Sequence, residues 1–381
     1  MSGLNKDRLQ YLKQVMEEDI AKGMYFGGTI IVARHGEIGL YEAMGTANEN
    51  SGKPVKKDSI FSIFSVTKAF TNVLVFRAIE LGLLSLTTKI ADIVPEFAGK
   101  GREDITLFHL LTHSAGLPSV YSAREGMYID RLDEMVAAIC ENVWPIEKPG
   151  VQVDYAPLVN HAMMGEMVRR VDPKGRSYRQ ILQEEILTPL KLHDTNLGIR
   201  PDMRERHLIP DFRGNSAIEH LGHSDLGPNG AFEEEVNEMP WVGIATTVHD
   251  LYRFAEMLRR GGELDGARIL SPVTLKLARK NQTGDKPNQV YKRVAEQHGW
   301  PVIPAYIGLG FSLRGEAFGN TLFGTLPSPE TFGNYGAGST IFWVDPETDV
   351  TFVSLCTGIM PWAANLERWR RISDIVASAA I

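Results

Sequence analysis

Apolar residues recur at helical spacing near both ends of the chain, and each of these stretches neighbours a pair of strand-like runs. The first helical pattern covers residues 9–20, and the second covers residues 366–376. The apolar runs at 28–44 and at 340–355 are each interrupted by a short polar turn, which is typical of a β-hairpin. We therefore expect both ends of the chain to build one antiparallel sheet with helices packed on it.

The middle of the chain carries a different pattern. From about residue 69 to residue 235, apolar residues keep mainly helical spacing, and β-branched runs are few. The pattern predicts an α+β fold, in which residues 1–68 and 240–381 form a discontinuous α/β domain and residues 69–239 form a mostly helical domain. The polar stretch 280–304 is expected to be an irregular excursion at the surface.

Composition excludes several classes of protein. The chain has 381 residues, of which 43% are hydrophobic and 23% are charged, as in ordinary globular proteins. The net charge of −7 argues against a general binder of nucleic acids or of anionic membranes. Two cysteines, far apart in the sequence, argue against a disulfide framework and against a structural zinc site. The chain has no run of 18 apolar residues and no apolar signal segment, so we expect a cytoplasmic protein.

The most informative stretch is the start of an apolar helix that is predicted to end at Gly82. Ser65 stands at its beginning, and Lys68 follows three residues later on the same helical face. The helix dipole and partial burial should lower the pKa of Lys68, so a neutral amine could take the proton of Ser65. The alternative is a serine that merely caps the helix, since an S-x-x-K pattern is expected about once by chance in a chain of this length.

Further motifs follow in a recognisable order. They are the run L-L-T-H-S-A-G-L at 110–117, Tyr155-Ala-Pro, the run that begins at Trp241-Val-Gly, and Asn334-Tyr-Gly-Ala. Together with Ser65-x-x-Lys68, this series resembles the serine β-lactamase and penicillin-binding protein superfamily. The resemblance is to its class C β-lactamase-like branch, which includes the family VIII carboxylesterases and related acyltransferases.

That resemblance implies a β-lactamase/transpeptidase-like fold with the active site at the interface of the two predicted domains. It makes Ser65 the nucleophile and Lys68 its partner, and it makes Tyr155 the tyrosine that shares the role of base and passes the proton to the leaving group. It also implies an oxyanion hole and a set of substrate-binding positions: the backbone N–H groups of Ser65 and Ala337, and the residues Asn334, Tyr335, Gly336 and Trp241.

Two positions depart from the pattern of the penicillin-recognising members. Those members usually carry an asparagine two residues after the tyrosine, where this chain has Pro157. They usually carry Lys-Thr-Gly in the third motif, where this chain has Asn334-Tyr335-Gly336. The resemblance implies that this motif lies on the edge strand of the sheet, beside the site. The nucleophile and base are retained, whereas amide and carboxylate recognition are weakened. These departures argue against a dedicated β-lactamase or a peptidoglycan enzyme.

The resulting hypothesis is a serine carboxylesterase that acts on small to medium acyl esters through a Ser65 acyl-enzyme. An acyltransferase that passes the acyl group to an alcohol or amine remains open, as does a weak β-lactamase or D-aminopeptidase-type amidase. A non-catalytic scaffold is disfavoured by the retained Ser65, Lys68 and Tyr155. We expect a small-molecule ester as the partner, with no nucleic acid, membrane, metal or cofactor.

Histidines and a second serine motif suggest alternative sites, which the sequence disfavours. His220 and His223 have the spacing of metal ligands but no third ligand close by, so a polar loop is the expected interpretation. The run Gly222-His-Ser-Asp-Leu lacks the closing glycine of a nucleophile elbow. His109 and His113 belong to a motif that is structural in the family, and we expect neither to act as a base.

Overall fold

The computed structural model describes residues 3–49, 51–208 and 235–381. Within these ranges the strands are β1 (Gly27–Arg34), β2 (Glu37–Gly45), β3 (Ile60–Ser62), β4 (Asn196–Leu197), β5 (His207–Leu208), β6 (Ile244–Thr246), β7 (Glu263–Leu264), β8 (Ala267–Arg268), β9 (Ser312–Leu313), β10 (Phe332–Gly336), β11 (Thr340–Asp345) and β12 (Val350–Thr357).

The helices of the same ranges are α1 (Lys6–Ala21), α2 (Thr67–Glu80), α3 (Ile90–Ile93), α4 (Leu107–Leu111), α5 (Leu132–Asn142), α6 (Val159–Val171), α7 (Tyr178–Leu182), α8 (Val248–Arg259), α9 (Pro272–Ala278), α10 (Gln289–His298) and α11 (Trp362–Ala377). In the described part of the chain, no helix combines the length and apolarity needed to cross a bilayer.

A six-stranded antiparallel sheet joins the two ends of the chain, in the order β2-β1-β12-β11-β10-β9. Strands β1 and β12 pair along their whole length, from Gly27 opposite Thr357 to Arg34 opposite Val350. Both predicted hairpins are present, as β1–β2 and β11–β12. The expectation of one sheet built from both ends of the chain is confirmed.

The two faces of the sheet are covered by different helices. Ile30 and Val32 of β1 belong to a buried cluster with apolar residues of α1 and α11. Ile31 and Ala33, which point to the opposite face, belong to the main cluster with residues of α2, α6 and α8. That main cluster also includes Val353 of the sheet. Packing within the cluster holds α2 against the face of the sheet to which Ile31 and Ala33 point.

The boundaries of the two predicted domains, 1–68 with 240–381 and 69–239, stay a prediction. Most of the described residues between 69 and 208 that have regular structure are helical, with β4 and β5 as short exceptions. A four-stranded patch in the order β4-β6-β3-β5 links strands from both predicted segments.

Two local expectations are wrong. The stretch 280–304 is not an irregular excursion, since it contains α10, which Asn288 caps at the N-terminus and Gly299 ends in the left-handed conformation. The third motif does not lie on the edge strand of the sheet, because the short β9 pairs with the first two residues of β10 and takes the edge.

Candidate active site

Ser65 lies in a short 3-10 turn, Phe64–Val66, that leads directly into α2. The helix is buried around most of its circumference, and Gly82, with a φ of +72°, follows its last residues as predicted. Phe64, just before the candidate nucleophile, has a φ of +48°, a region that residues other than glycine seldom occupy. The turn that presents Ser65 is therefore held in a strained backbone conformation.

The Ser65 hydroxyl is contacted by the two side chains expected to share its chemistry. Lys68 Nζ lies 2.9 Å from Ser65 Oγ, within hydrogen-bonding distance, and the Tyr155 hydroxyl donates to the same oxygen at 2.8 Å. Lys68 comes from the first turn of α2, whereas Tyr155 lies in the loop before α6. The start of α2 has no side-chain cap, so Ser65 does not serve as its capping residue.

Burial makes the Lys68 amine a weaker binder of protons. The residue is 2% exposed, and desolvation lowers the pKa of its amine well below the ordinary value. Lys68 Nζ also donates to the main-chain carbonyl of Trp241 at 2.9 Å. A neutral amine that gives one N–H to this carbonyl has its lone pair available for the proton of the Ser65 hydroxyl.

The loop that carries Tyr155 is fixed on both sides by His113. The Asp154 N–H donates to the His113 carbonyl at 2.9 Å, and the Ala156 N–H donates to His113 Nδ1 at 3.2 Å. Burial lowers the pKa of His113 to about 3, so its ring is neutral and accepts this bond. Burial also raises the pKa of Tyr155, which keeps its phenol protonated.

The turn between β10 and β11 packs directly against the turn that carries Ser65. A Cβ atom at Gly338 would lie 2.4 Å from the ring of Phe64, a distance that real side chains do not reach. Glycine is therefore needed for this close approach. The approach places Ala337 and Ser65 on the wall of one cavity.

The other residues of the third motif are divided between the cavity and the packing beneath it. Asn334 and Tyr335 line the side of the cleft that contains Ser65 and Lys68. Gly336 instead packs against the backbone, since a Cβ atom there would lie 2.3 Å from a main-chain carbonyl oxygen. The predicted substrate contacts of Asn334 and Tyr335 have access to the cleft, whereas Gly336 supports the strand.

Within the described part of the chain, Ser65 lines two cavities. The first, the apolar cavity, is walled mainly by hydrophobic and aromatic side chains: Phe64, Tyr121, Ile129, Pro157, Leu158 and Trp241. The second, the polar cavity, contains Lys68 and Tyr155 together with Asn288, Tyr291, Ser312 and Asn334. Ser65 lies between them, so a substrate carbonyl at Ser65 would extend in two directions.

Comparison with known proteins identifies the family. A family model described as Beta-lactamase matches residues 12–377. The chain belongs to the beta-lactamase family. The esterase/beta-lactamase LipL of Mycobacterium tuberculosis is 26% identical over 351 residues, which cover 86% of this chain and 76% of LipL.

Solved structures support the same assignment. A penicillin-binding protein homologue from Caulobacter crescentus is 26% identical, with 98% of each chain covered and a TM-score of 0.76. A family VIII carboxylesterase, 21% identical with 97% of each chain covered, shares the fold with a TM-score of 0.76. The β-lactamase/transpeptidase-like fold and the resemblance to this superfamily are confirmed.

Several contacts of this beta-lactamase-family site were not predicted from the sequence. Trp241 was expected to bind substrate through its side chain, yet its carbonyl also fixes Lys68. Asn288 and Tyr291, at the start of α10, line the polar cavity, although their segment was expected to be irregular. The Asn288 cap and the Gly299 stop were the available signals.

The described ranges contain no group of three or more histidine, cysteine, aspartate or glutamate side chains placed to hold an ion. His220 and His223, whose spacing suggested ligands, lie outside the described residues.

Proposed function

We propose that this protein is a serine carboxylesterase that transfers the acyl group of a small or medium ester to Ser65 and then to water. The observation that carries the proposal is the pair of contacts at Ser65 Oγ, with Lys68 Nζ at 2.9 Å and the Tyr155 hydroxyl at 2.8 Å. A nucleophile within reach of a base, which is itself oriented by a further group, is the arrangement that covalent catalysis requires. The esterase and β-lactamase names of its relatives support hydrolytic chemistry in this family.

In the acylation step we assign the role of base to Lys68. Its neutral amine takes the Ser65 proton while Oγ attacks the ester carbonyl carbon, and the oxyanion is stabilised by the N–H groups of Ser65 and Ala337. The C–O bond to the alcohol then breaks. Tyr155 donates its proton to the departing alkoxide, and the Lys68 ammonium returns a proton to Tyr155. The net result is an acyl-serine and a free alcohol.

Deacylation reverses these roles. Water enters where the alcohol left, and the Lys68 and Tyr155 pair accepts its proton as the water oxygen attacks the acyl carbon. The bond to Ser65 Oγ then breaks, and Oγ recovers a proton. The carboxylic acid leaves, and the protonation states that preceded the reaction are restored.

We assign the two halves of the substrate to the two cavities. Tyr155, the proposed proton donor to the leaving group, lines the polar cavity, so the alcohol half belongs there. The acyl half then occupies the apolar cavity beside Trp241. That cavity has Pro157 where an amide-recognising asparagine would stand, which favours acyl groups with no amide to bind.

Acyl transfer to an alcohol is the second candidate, because the polar cavity that releases one alcohol would accept another. Product analysis separates the two. Incubation of the enzyme with an activated butyrate ester and a series of added alcohols gives butyric acid alone in a hydrolase and a new butyrate ester in a transferase. A transfer product that dominates at millimolar alcohol would replace hydrolysis as the function.

The decisive experiment is intact mass spectrometry after incubation with a serine-reactive alkyl phosphonate. We expect one adduct, mapped to Ser65, in the native protein and none in Ser65→Ala. The matched control is Ser62→Ala, which removes a buried hydroxyl three residues earlier that bonds to His207. It should still form the adduct. An adduct that persists in Ser65→Ala would refute the assignment.

A further inference from the structure

A third cavity continues from the polar cavity, and we call it the distal cavity. The two share four lining residues: Asn288, Tyr291, Ala305 and Ser312. Most of the remaining wall is apolar or aromatic and includes Trp300, Ile303 and Phe323. A substrate whose alcohol half extends past Tyr155 would therefore enter the distal cavity.

The charged groups of this wall are of one sign. Among the residues that the structure describes, its lining contains Lys292 and Arg314 and no aspartate or glutamate. Lys292 lies on α10 with its side chain 41% exposed, and it pairs loosely with Glu296 of the same helix at 3.8 Å. Arg314 is different, because only 4% of it is exposed.

Arg314 carries a buried charge that no carboxylate in the described chain neutralises. Its guanidinium donates to the carbonyl of Gly315 at 2.6 Å and to the carbonyl of Thr325 at 2.7 Å, and its Nε has no partner. The guanidinium also lies 5.3 Å from the centre of the Phe318 ring. Buried charges in proteins are ordinarily paired, because removal of an unpaired ion from water is costly.

We infer that the distal cavity binds a carboxylate carried by the alcohol half of the substrate, with Arg314 as its anchor and Lys292 as a charge at the rim. The inference rests on the proposed function, since it names the substrate class of that same site. A guanidinium suits a carboxylate because its planar fork can form two parallel hydrogen bonds. The preferred substrates are therefore esters of hydroxy acids with an apolar body between the ester and the acid.

This assignment places carboxylate recognition at a new position. Asn334 in the third motif supplies no cation, whereas Arg314 at the end of β9 does so from a cavity beyond it. The carboxylate is thus bound farther from the ester carbonyl than a carboxylate beside position 334 would be.

The test compares two esters of equal shape, the butyrates of 3-(4-hydroxyphenyl)propanoic acid and of its amide, at pH 8. We expect the native enzyme to have a kcat/KM at least about tenfold higher for the acid than for the amide. Arg314→Gln should lower that ratio at least about tenfold, and Arg314→Lys should retain part of the preference. The matched control is Arg279→Gln, on an arginine that pairs with Glu330 outside the cavity, and it should leave the ratio unchanged.

Two further measurements keep the inference testable when a variant folds poorly or turnover is absent. Lys292→Gln changes a half-exposed position on α10 and should lower the ratio about threefold, with a similar loss in the native enzyme at high salt. Calorimetric binding of 3-phenylpropanoate and of 3-phenylpropanamide to Ser65→Ala needs no catalysis and should favour the anion.

The outcomes separate this inference from the proposed function. One contrary result is that the native enzyme turns over both esters with a ratio of kcat/KM, acid to amide, near one, and another is that folded Arg314→Gln keeps the native ratio. Either result would overturn the carboxylate site and leave the esterase intact. Such a result would assign Arg314 to the support of its surrounding loops alone. Preferential binding of the anion to Ser65→Ala without any ester turnover would refute the esterase and leave the anion site standing.

Discussion

At the scale of single residues, the proposed active site depends on a lysine whose pKa is lowered by burial. Lys68 is buried beside Ser65, and desolvation is the cause that lowers its pKa. Its contact with the Trp241 carbonyl holds the amine in place. The lowered pKa costs stability, because proton binding at Lys68 stabilises the unfolded chain more than it stabilises the native state.

This difference predicts how stability depends on pH. Between the lowered native pKa of Lys68 and its ordinary value of 10.5, the unfolded state binds more protons than the native state, so stability rises with pH. Lys68→Met removes this contribution. The free energy of unfolding of the native protein, minus that of Lys68→Met, should increase across this window by up to about 1.4 kcal/mol per pH unit. Urea unfolding of both proteins at several pH values measures it, and parallel profiles would contradict it.

Lys68 and Tyr155 should act as one unit. Lys68→Met and Tyr155→Phe should each lower the acylation rate by about 10²–10⁴, the usual contribution of a positioned acid or base. The double variant should lose clearly less than the product of the two effects. Acylation in the native enzyme should fall on acidification, since protonated Lys68 cannot accept the Ser65 proton. Stopped-flow rates with an activated ester test both points, and independent effects would show that the two residues do not share a proton path.

At the scale of elements, the site is assembled by contact between two turns. The Phe64–Val66 turn carries Ser65, and the turn after β10 carries Ala337. Their approach requires glycine at position 338, since any side chain there would overlap the ring of Phe64. The distance between the proposed oxyanion donors is therefore set by two elements far apart in the chain.

Gly338→Ala should separate these turns. We expect kcat/KM for an activated ester to fall at least about tenfold, because displacements near 1 Å at a reacting centre are costly. The double variant Phe64→Leu with Gly338→Ala removes the ring that the new methyl group meets, and it should recover part of the loss. Equal activity of the single and double variants would show that the overlap with Phe64 is not the cause.

The same elements show how far the sequence predicts the structure. The hairpins and the terminal helices follow from strong periodicity, and the Ser65 and Lys68 contact follows from a three-residue spacing on one helix. Tyr155 could be placed at Ser65 only by resemblance, because the two are 90 residues apart. The Trp241 carbonyl was not predictable, since a main-chain acceptor has no residue-type signature. Helix α10 was not predicted, because the polar composition of its segment is typical of a loop and outweighed the capping signals at Asn288 and Gly299.

At the scale of the whole molecule, the cleft has one apolar end and one end that continues into a larger cavity. The apolar cavity contains Pro157, and the polar cavity contains Asn334 where penicillin-recognising relatives usually place a lysine. On the proposed function, we therefore expect the binding energy to come from apolar acyl groups and from an extended alcohol half rather than from an amide beside the carbonyl.

This arrangement predicts substrate preference. The kcat/KM for p-nitrophenyl butyrate should exceed that for a cephalosporin at least about a hundredfold, since a site without the required polar partners discriminates strongly. Pro157→Asn combined with Asn334→Lys should raise the kcat/KM for the cephalosporin and so bring the two kcat/KM values closer together. Initial rates with both substrates measure it, and comparable values in the native enzyme would contradict the prediction.

The pairing of β1 with β12 also has a consequence for the synthesis of the protein. β1 is complete by residue 34, and its partner spans Val350–Thr357. On a ribosome, the first hairpin therefore emerges with the β1 edge unpaired, and this edge stays so until residues 350–357 have been made. An open edge is a template for strands of other molecules. We therefore expect this edge to be open to strands of other molecules during synthesis and to be closed once β12 pairs with it.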